Sequence, residues 1–131
     1  MKYSTIKIER KAGKYNYYTI TDKKRYLLKE WVKMCLRFYE GFGRVKKDDK
    51  YNFVRLDGSF LLSKWVDNCW DFQEGFGVVK KDDKFNYVKT DGTFLLKEWV
   101  DECSYFHEGF GRVKINGMWY SVDKDGNITK K

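Results

Sequence analysis

A chain of 131 residues with 42% hydrophobic and 19% aromatic content carries enough apolar surface to offset its chain entropy, which excludes a disordered polar tail. The net charge of +8 is unevenly placed: residues 1–40 hold 11 Lys and Arg against 4 Asp and Glu, whereas residues 41–131 balance to +1. The three cysteines lie far apart and form no CxxC pair, which excludes a disulfide scaffold and a zinc ribbon.

The opening stretch MKYSTIKIERKAGK lacks the apolar segment of a secretion signal. No run approaches the ~20 apolar residues that a membrane-spanning helix needs. A reducing cytoplasm is the expected compartment, with no membrane partner. Residues 1–40 read as a degenerate first copy of a repeat: Ile6-Lys7-Ile8 stands where Arg44-Val45 stands later, and Lys14-Tyr15-Asn16-Tyr17 matches Lys50-Tyr51-Asn52-Phe53.

Residues 41–74 and 75–108 are near-identical, agreeing at 22 of 34 positions, and residues 109–131 form a partial last copy. Trp31, Trp65 and Trp99 recur at this period of 34, as do Cys35, Cys69 and Cys103. Such a period marks an array whose units bury their apolar faces on one another, so 1–131 reads as a single repeat domain.

A helical array is excluded by local chemistry. Tyr51–Leu56 is aromatic and β-branched and runs into Asp57-Gly58, a hairpin signal that recurs at Asp91-Gly92 and Asp125-Gly126. A second turn falls at Asp48-Asp49, at Asp82-Asp83 and at Asn116-Gly117. Each copy therefore predicts a strand at Gly43–Lys47, a strand at Lys50–Leu56 and a short strand at Phe60–Leu62, with type I′ geometry at Asp-Gly. In the linking segment Leu62–Phe72, the residues Leu61, Leu62, Trp65, Val66 and Cys69 are spaced for one helical face, so an irregular stretch or one helical turn is expected. The fold class expected is all-β, an array of antiparallel hairpins or three-strand repeats.

The run WVDNCWDFQEGFGVVKKDDKFNYVKTDGTFLL resembles the WG-repeat family, the WG β-repeats of bacterial and phage proteins. Phe72, Glu74 and Gly75 match its F-x-E-G, as do Phe106, Glu108 and Gly109, and Asp57-Gly58 matches its second turn. The signature Trp-Gly is replaced by Tyr15-Asn16, Tyr51-Asn52, Phe85-Asn86 and Trp119-Tyr120, which makes this a divergent branch. The resemblance spans roughly residues 14–128. It implies an all-β array acting as an interaction or structural module, with no catalytic residues to carry over.

The candidate sites emerge when the copies are compared. The cysteine row is read as a buried small-residue slot, since thiolates a whole repeat apart cannot share one metal. Tyr51 and Phe53 alternate with Asn52 and Val54, giving a strand buried on both sides or an aromatic face for stacking bases or sugars, with burial preferred. Asn16, Asn52 and Asn86 are expected to hydrogen-bond, in a polar ladder between units. Positions that vary between otherwise constant copies are the candidates for partner binding: Arg44, Asn68, Trp70, Asp71, Gln73, Glu102, Ser104, Tyr105 and His107. The uncompensated cations Arg10, Lys11, Lys14, Lys23, Lys24 and Arg25 are candidates for anion binding. Asp123-Lys124-Asp125-Gly126-Asn127 lacks the ligands of a calcium loop and reads as a turn.

His107 is the single histidine, and no nucleophile–base pair or phosphate loop accompanies it, so no enzyme and no cofactor are expected. The expected function is a non-enzymatic binding or scaffold protein that contacts another protein. The alternatives are a nucleic-acid or nucleotide binder using the basic first repeat, and a phage or mobile-element factor inhibiting a host protein. Partial end copies leave strand edges that favour homo-oligomer formation through a sheet edge.

Overall fold

The computed structural model describes residues 6–130. The first five residues of the opening stretch, part of the expectation on secretion, lie outside them. The described chain is all-β, in four antiparallel sheets, and divides into two compact units, one up to Trp65 and one from Val66.

The N-terminal unit holds two sheets. The first contains β1 (Lys7–Lys11), β2 (Lys14–Ile20) and β3 (Lys24–Tyr26), and the second β4 (Met34–Tyr39), β5 (Phe42–Lys47) and β6 (Lys50–Val54). The C-terminal unit holds β7 (Asn68–Gln73), β8 (Phe76–Lys81) and β9 (Lys84–Lys89) in a third sheet. Its fourth sheet contains β10 (Glu102–His107), β11 (Phe110–Ile115), β12 (Met118–Val122) and β13 (Ile128–Lys130).

Two strands per copy lie where the sequence places them, whereas the third forms only in the first and last copies, as β3 and β13. The central strand stops at Val54, two residues before Leu56, and the expected strand Phe60–Leu62 reduces to a single bridge between Phe60 and Val54. The second, third and fourth sheets each take a further strand from the second half of the preceding linking segment, as β4, β7 and β10. No helical turn forms there. The backbone groups of the segment bond sideways: Leu95 N–H donates to Tyr87 O at 2.9 Å, Val100 N–H to Phe85 O at 2.9 Å and Asp101 N–H to Lys114 O at 2.9 Å. With neighbouring strands supplying partners on both sides, an i to i−4 helix bond has nothing to add.

The turn chemistry is also redistributed. Type I′ geometry, with positive φ at both central residues, occurs at Asp48-Asp49, Asp82-Asp83 and Asn116-Gly117, and also at Glu40-Gly41, Glu74-Gly75 and Glu108-Gly109. At Asp57-Gly58 only the glycine is left-handed (φ +89). Gly58 N–H donates to Arg55 O at 2.9 Å and Arg55 N–H to Ser59 O at 2.8 Å, a three-residue loop ending in a bulge. Asp123–Asn127 closes the same way, and Asp123 accepts the backbone N–H groups of Asp125 and Asn127.

Each unit has its own core. In the first, Tyr17, Leu28, Val32, Cys35, Phe38, Val45 and Val54 pack together; in the second, Phe76, Val78, Tyr87, Leu96, Val100, Phe106, Val113 and Val122 do. Tyr87 brings one sheet onto the next: its ring meets Phe106 edge-on at 4.8 Å, and its hydroxyl lies 2.5 Å from Ser104 O and 3.1 Å from Arg112 O. Tyr17 does the same with Phe38 and the carbonyls of Leu36 and Arg44. Burial pushes both phenols far above their ordinary pKa.

Candidate interaction surface

Eight of the nine candidates for partner binding gather on two strands. Asn68, Trp70, Asp71 and Gln73 lie on β7, and Glu102, Ser104, Tyr105 and His107 on β10, the first strands of the third and fourth sheets. Arg44 stands apart on β5 in the N-terminal unit, half-buried. Both strands break register, β7 between Trp70 and Gln73 and β10 between Ser104 and His107. Such bulges re-aim side chains away from strict alternation.

Within the set, roles divide. Asn68 Oδ1 accepts the Cys69 N–H at 2.8 Å, and Ser104 Oγ accepts the Arg112 N–H at 3.2 Å, so these two hold the sheets rather than reach outward. Trp70 and Tyr105 are 38% and 55% exposed, and with Val78, Phe85 and Cys103 they line a cleft of about 150 Å³. The Trp70 indole is held by stacking on Phe85, 5.8 Å between centroids at 28°. Glu102 falls on the face opposite Cys103, its carboxylate 3.9 Å from Lys114 Nζ, and His107 is exposed with Nε2 3.7 Å from the Glu108 carboxylate. The geometry is that of two part-exposed aromatic residues at an apolar cleft, an arrangement suited to holding an apolar side chain.

The central strands are buried on both faces. Phe53, Tyr17 and Tyr87 are fully buried, as are Asn16, Asn52, Asn86, Val54 and Val88, which leaves no stacking surface at these rings. The asparagines do not form a ladder between units. Each one clamps a linking segment instead: Asn52 Nδ2 donates to Leu62 O at 2.9 Å while its Oδ1 accepts the N–H groups of Leu62 and Phe53. Asn16 grips Leu28 and Asn86 grips Leu96 in the same way.

Cys35 and Cys69 are buried, whereas Cys103 is only half-buried at the cleft. Burial pushes the thiols of Cys35 and Cys103 up to about 12, which makes them poor nucleophiles near neutrality.

The basic candidates do not make one patch. In the register of β1, β2 and β3, Lys11, Lys14 and Lys24 share the face of Glu9, while Arg10 and Arg25 fall on the opposite face with Tyr15 and Thr19. Lys24 is already paired with Glu9 at 2.6 Å, and Lys23 lies in the turn before it.

Comparison of the copies missed a second aromatic feature. Tyr26 and Trp31, Phe60 and Trp65, and Phe94 and Trp99 form three equivalent ring pairs at 5.2, 4.9 and 5.0 Å, each leaving Tyr26, Phe60 or Phe94 about two-fifths exposed. Trp119 was missed as well, with Arg112 and Lys114 at 5.7 and 5.9 Å from its ring. Both features were legible only as constant or terminal positions, which a search for variation passes over.

No match was found among curated proteins. A solved structure, the WD40 β-propeller domain of Doa1, aligns over 94% of this chain and 62% of its own at 11% identity. Its TM-score of 0.39 is too low to carry fold or function across. The family model described as WG containing repeat matches residues 33–51, 54–85 and 87–119, well over half of the sequence. The first match begins one residue before β4, the first strand of the second sheet. This β-repeat chain belongs to the WG-repeat family.

Proposed function

We propose that this protein is a non-enzymatic interaction scaffold that holds a partner protein through the Trp70–Tyr105 cleft. The observation that supports this reading is the placement of variation: eight of the nine variable candidates fall on β7 and β10, while the constant residues supply clamps, turns and core. A surface free to change while its frame does not is what partner specificity requires. Two aromatic anchors around an apolar cleft supply contact area at small entropic cost. The widely spaced cysteines, with no CxxC pair, suit action in a reducing cytoplasm.

The reading is tested by affinity capture from the native host with mass spectrometry, with and without nuclease. Wild type should recover a defined protein, and the Trp70→Ala/Tyr105→Ala double variant should lose it. Both side chains are partly exposed, so the variant keeps its core. Recovery of nucleic acid alone, or unchanged capture by the double variant, overturns it. Nucleic-acid binding by the first repeat is the less supported reading, because its cations are divided between two faces and Lys24 is paired.

A further inference from the structure

In the C-terminal unit, a carboxylate seats each Asp-Asp or Asn-Gly turn. Asp82 N–H donates to Asp67 Oδ2 at 2.9 Å, and Asn116 N–H donates to Asp101 Oδ2 at 2.9 Å while Asp101 Oδ1 holds Lys84 Nζ at 2.5 Å. The N-terminal unit repeats this scaffold with one reversal of charge. The bridge between Tyr15 and Val32 sets Lys14 beside Lys33, as the bridge between Phe85 and Val100 sets Lys84 beside Asp101. Lys33 N–H also bonds Lys46 O as Asp101 N–H bonds Lys114 O, both at 2.9 Å. The lysine and the turn are retained, but an ammonium stands where the carboxylate belongs.

The result is a recess of about 340 Å³ lined chiefly by Lys14, Glu30, Trp31, Lys33, Lys47 and Asp48. Lys47 is paired with Glu30 at 3.0 Å. Among the described residues, Lys14 and Lys33 have no ion pair within 4.0 Å, and the Asp48 N–H, the counterpart of those of Asp82 and Asn116, has no carboxylate acceptor.

We propose that this recess binds the carboxylate side chain of an acidic segment in a partner protein. The carboxylate takes the seat that Asp101 fills in the other unit, accepts the Asp48 N–H and pairs with Lys14 and Lys33. The equivalent turns of the other unit are seated by carboxylates, those of Asp67 and Asp101, and this sets a carboxylate as the occupant. Trp31 walls one side and supplies contact for the aliphatic part of the incoming residue.

This rests on the protein being an interaction scaffold, but its test uses a separate surface. The full-length chain, labelled with 15N, is titrated with a blocked hexaglutamate peptide, with hexalysine and with inorganic phosphate. The Asp48 amide should shift saturably with hexaglutamate alone. Lys33→Ala should weaken this by about tenfold, the loss of one charge-assisted hydrogen bond. Lys33→Asp, which restores the residue found at Asp67 and Asp101, should abolish it and move the Asp48 amide without peptide. The rest of the spectrum reports that the fold is kept. An absent or unsaturable shift, equal affinity in Lys33→Asp, or saturation by phosphate at lower concentration than peptide overturns the proposal. The Trp70→Ala/Tyr105→Ala variant should titrate as wild type, so failed capture and failed titration are told apart.

Discussion

Asn86 holds Leu96 by both ends of its backbone. The asparagine Nδ2 donates to the Leu96 carbonyl at 3.0 Å, and the Leu96 N–H returns to Oδ1 at 3.1 Å, where the Tyr87 N–H also arrives at 2.7 Å. The side chain thus acts as one more strand residue, extending β9 sideways onto a segment that has no strand of its own. Asn86 is fully buried, and among the described residues no buried side-chain polar atom lacks a partner. Replacement by Ala would strand three backbone groups away from water. Asn86→Ala should therefore cost about 3 kcal/mol in urea unfolding, and Asn86→Asp at neutral pH should cost no less, because a buried carboxylate cannot donate to Leu96 O.

Glu74 ties one Glu-Gly turn to the next. Its carboxylate accepts the N–H groups of Glu108 and Gly109 at 2.6 and 2.8 Å, and these bonds, that of Gly109 foremost, hold its pKa below the usual value. A group depressed in the folded state stabilises above its unfolded pKa, and that contribution is lost as pH falls through the carboxylate range and on through the folded value. Thermal melts should therefore show wild type losing more stability than Glu74→Gln between about pH 5 and pH 3. Parallel curves would mean that Glu74 contributes nothing to acid sensitivity.

Asp82 and Asp83 both adopt positive φ, at +53° and +65°. Left-handed backbone strains a side chain where glycine is unstrained, and the equivalent turn in the last copy is Asn116-Gly117. The exchange of Asp82-Asp83 for Asn-Gly should raise stability by about 1 kcal/mol in chemical denaturation, since the Asp82 N–H bond to Asp67 is kept.

Gly58 and Gly13 share a left-handed φ, +89° and +82°, but not their surroundings. A Cβ at Gly13 meets nothing within 4 Å, whereas one at Gly58 presses on the backbone carbonyl of Leu27. Gly13→Ala should cost about 1 kcal/mol from backbone strain alone, and Gly58→Ala about 3 kcal/mol, since backbone cannot step aside as a flexible side chain can. Equal losses in the two melts would mean that the Leu27 contact relaxes freely.

The array and its all-β class were legible because they rest on local chemistry. A period of 34, Asp-Gly between apolar runs and aromatic residues alternating with Asn and Val each act within a few residues. The strands β7 and β10 were not legible, because their residues have no strong preference and take strand form only by pairing with β8 and β11. Bulges at Trp70–Gln73 and Ser104–His107 also break the alternation that would have marked them. The interaction surface lay in that same blind stretch. Its variable residues could be picked out by comparing copies, but nothing in their spacing placed Trp70 and Tyr105 at one cleft.

The sequence by itself determined the repeat, its period and the hairpin between the paired lysines around each Asp-Asp turn, because turn preference and strand alternation are properties of short stretches. Only the tertiary structure decided which segment supplies the further strand of each later sheet, that each buried asparagine grips its own linking segment, and that Lys33 and Asp48 line one recess. Those outcomes depend on where the chain returns after a full repeat. They are set by the packing of Tyr17 and Tyr87 across neighbouring sheets rather than by any local preference.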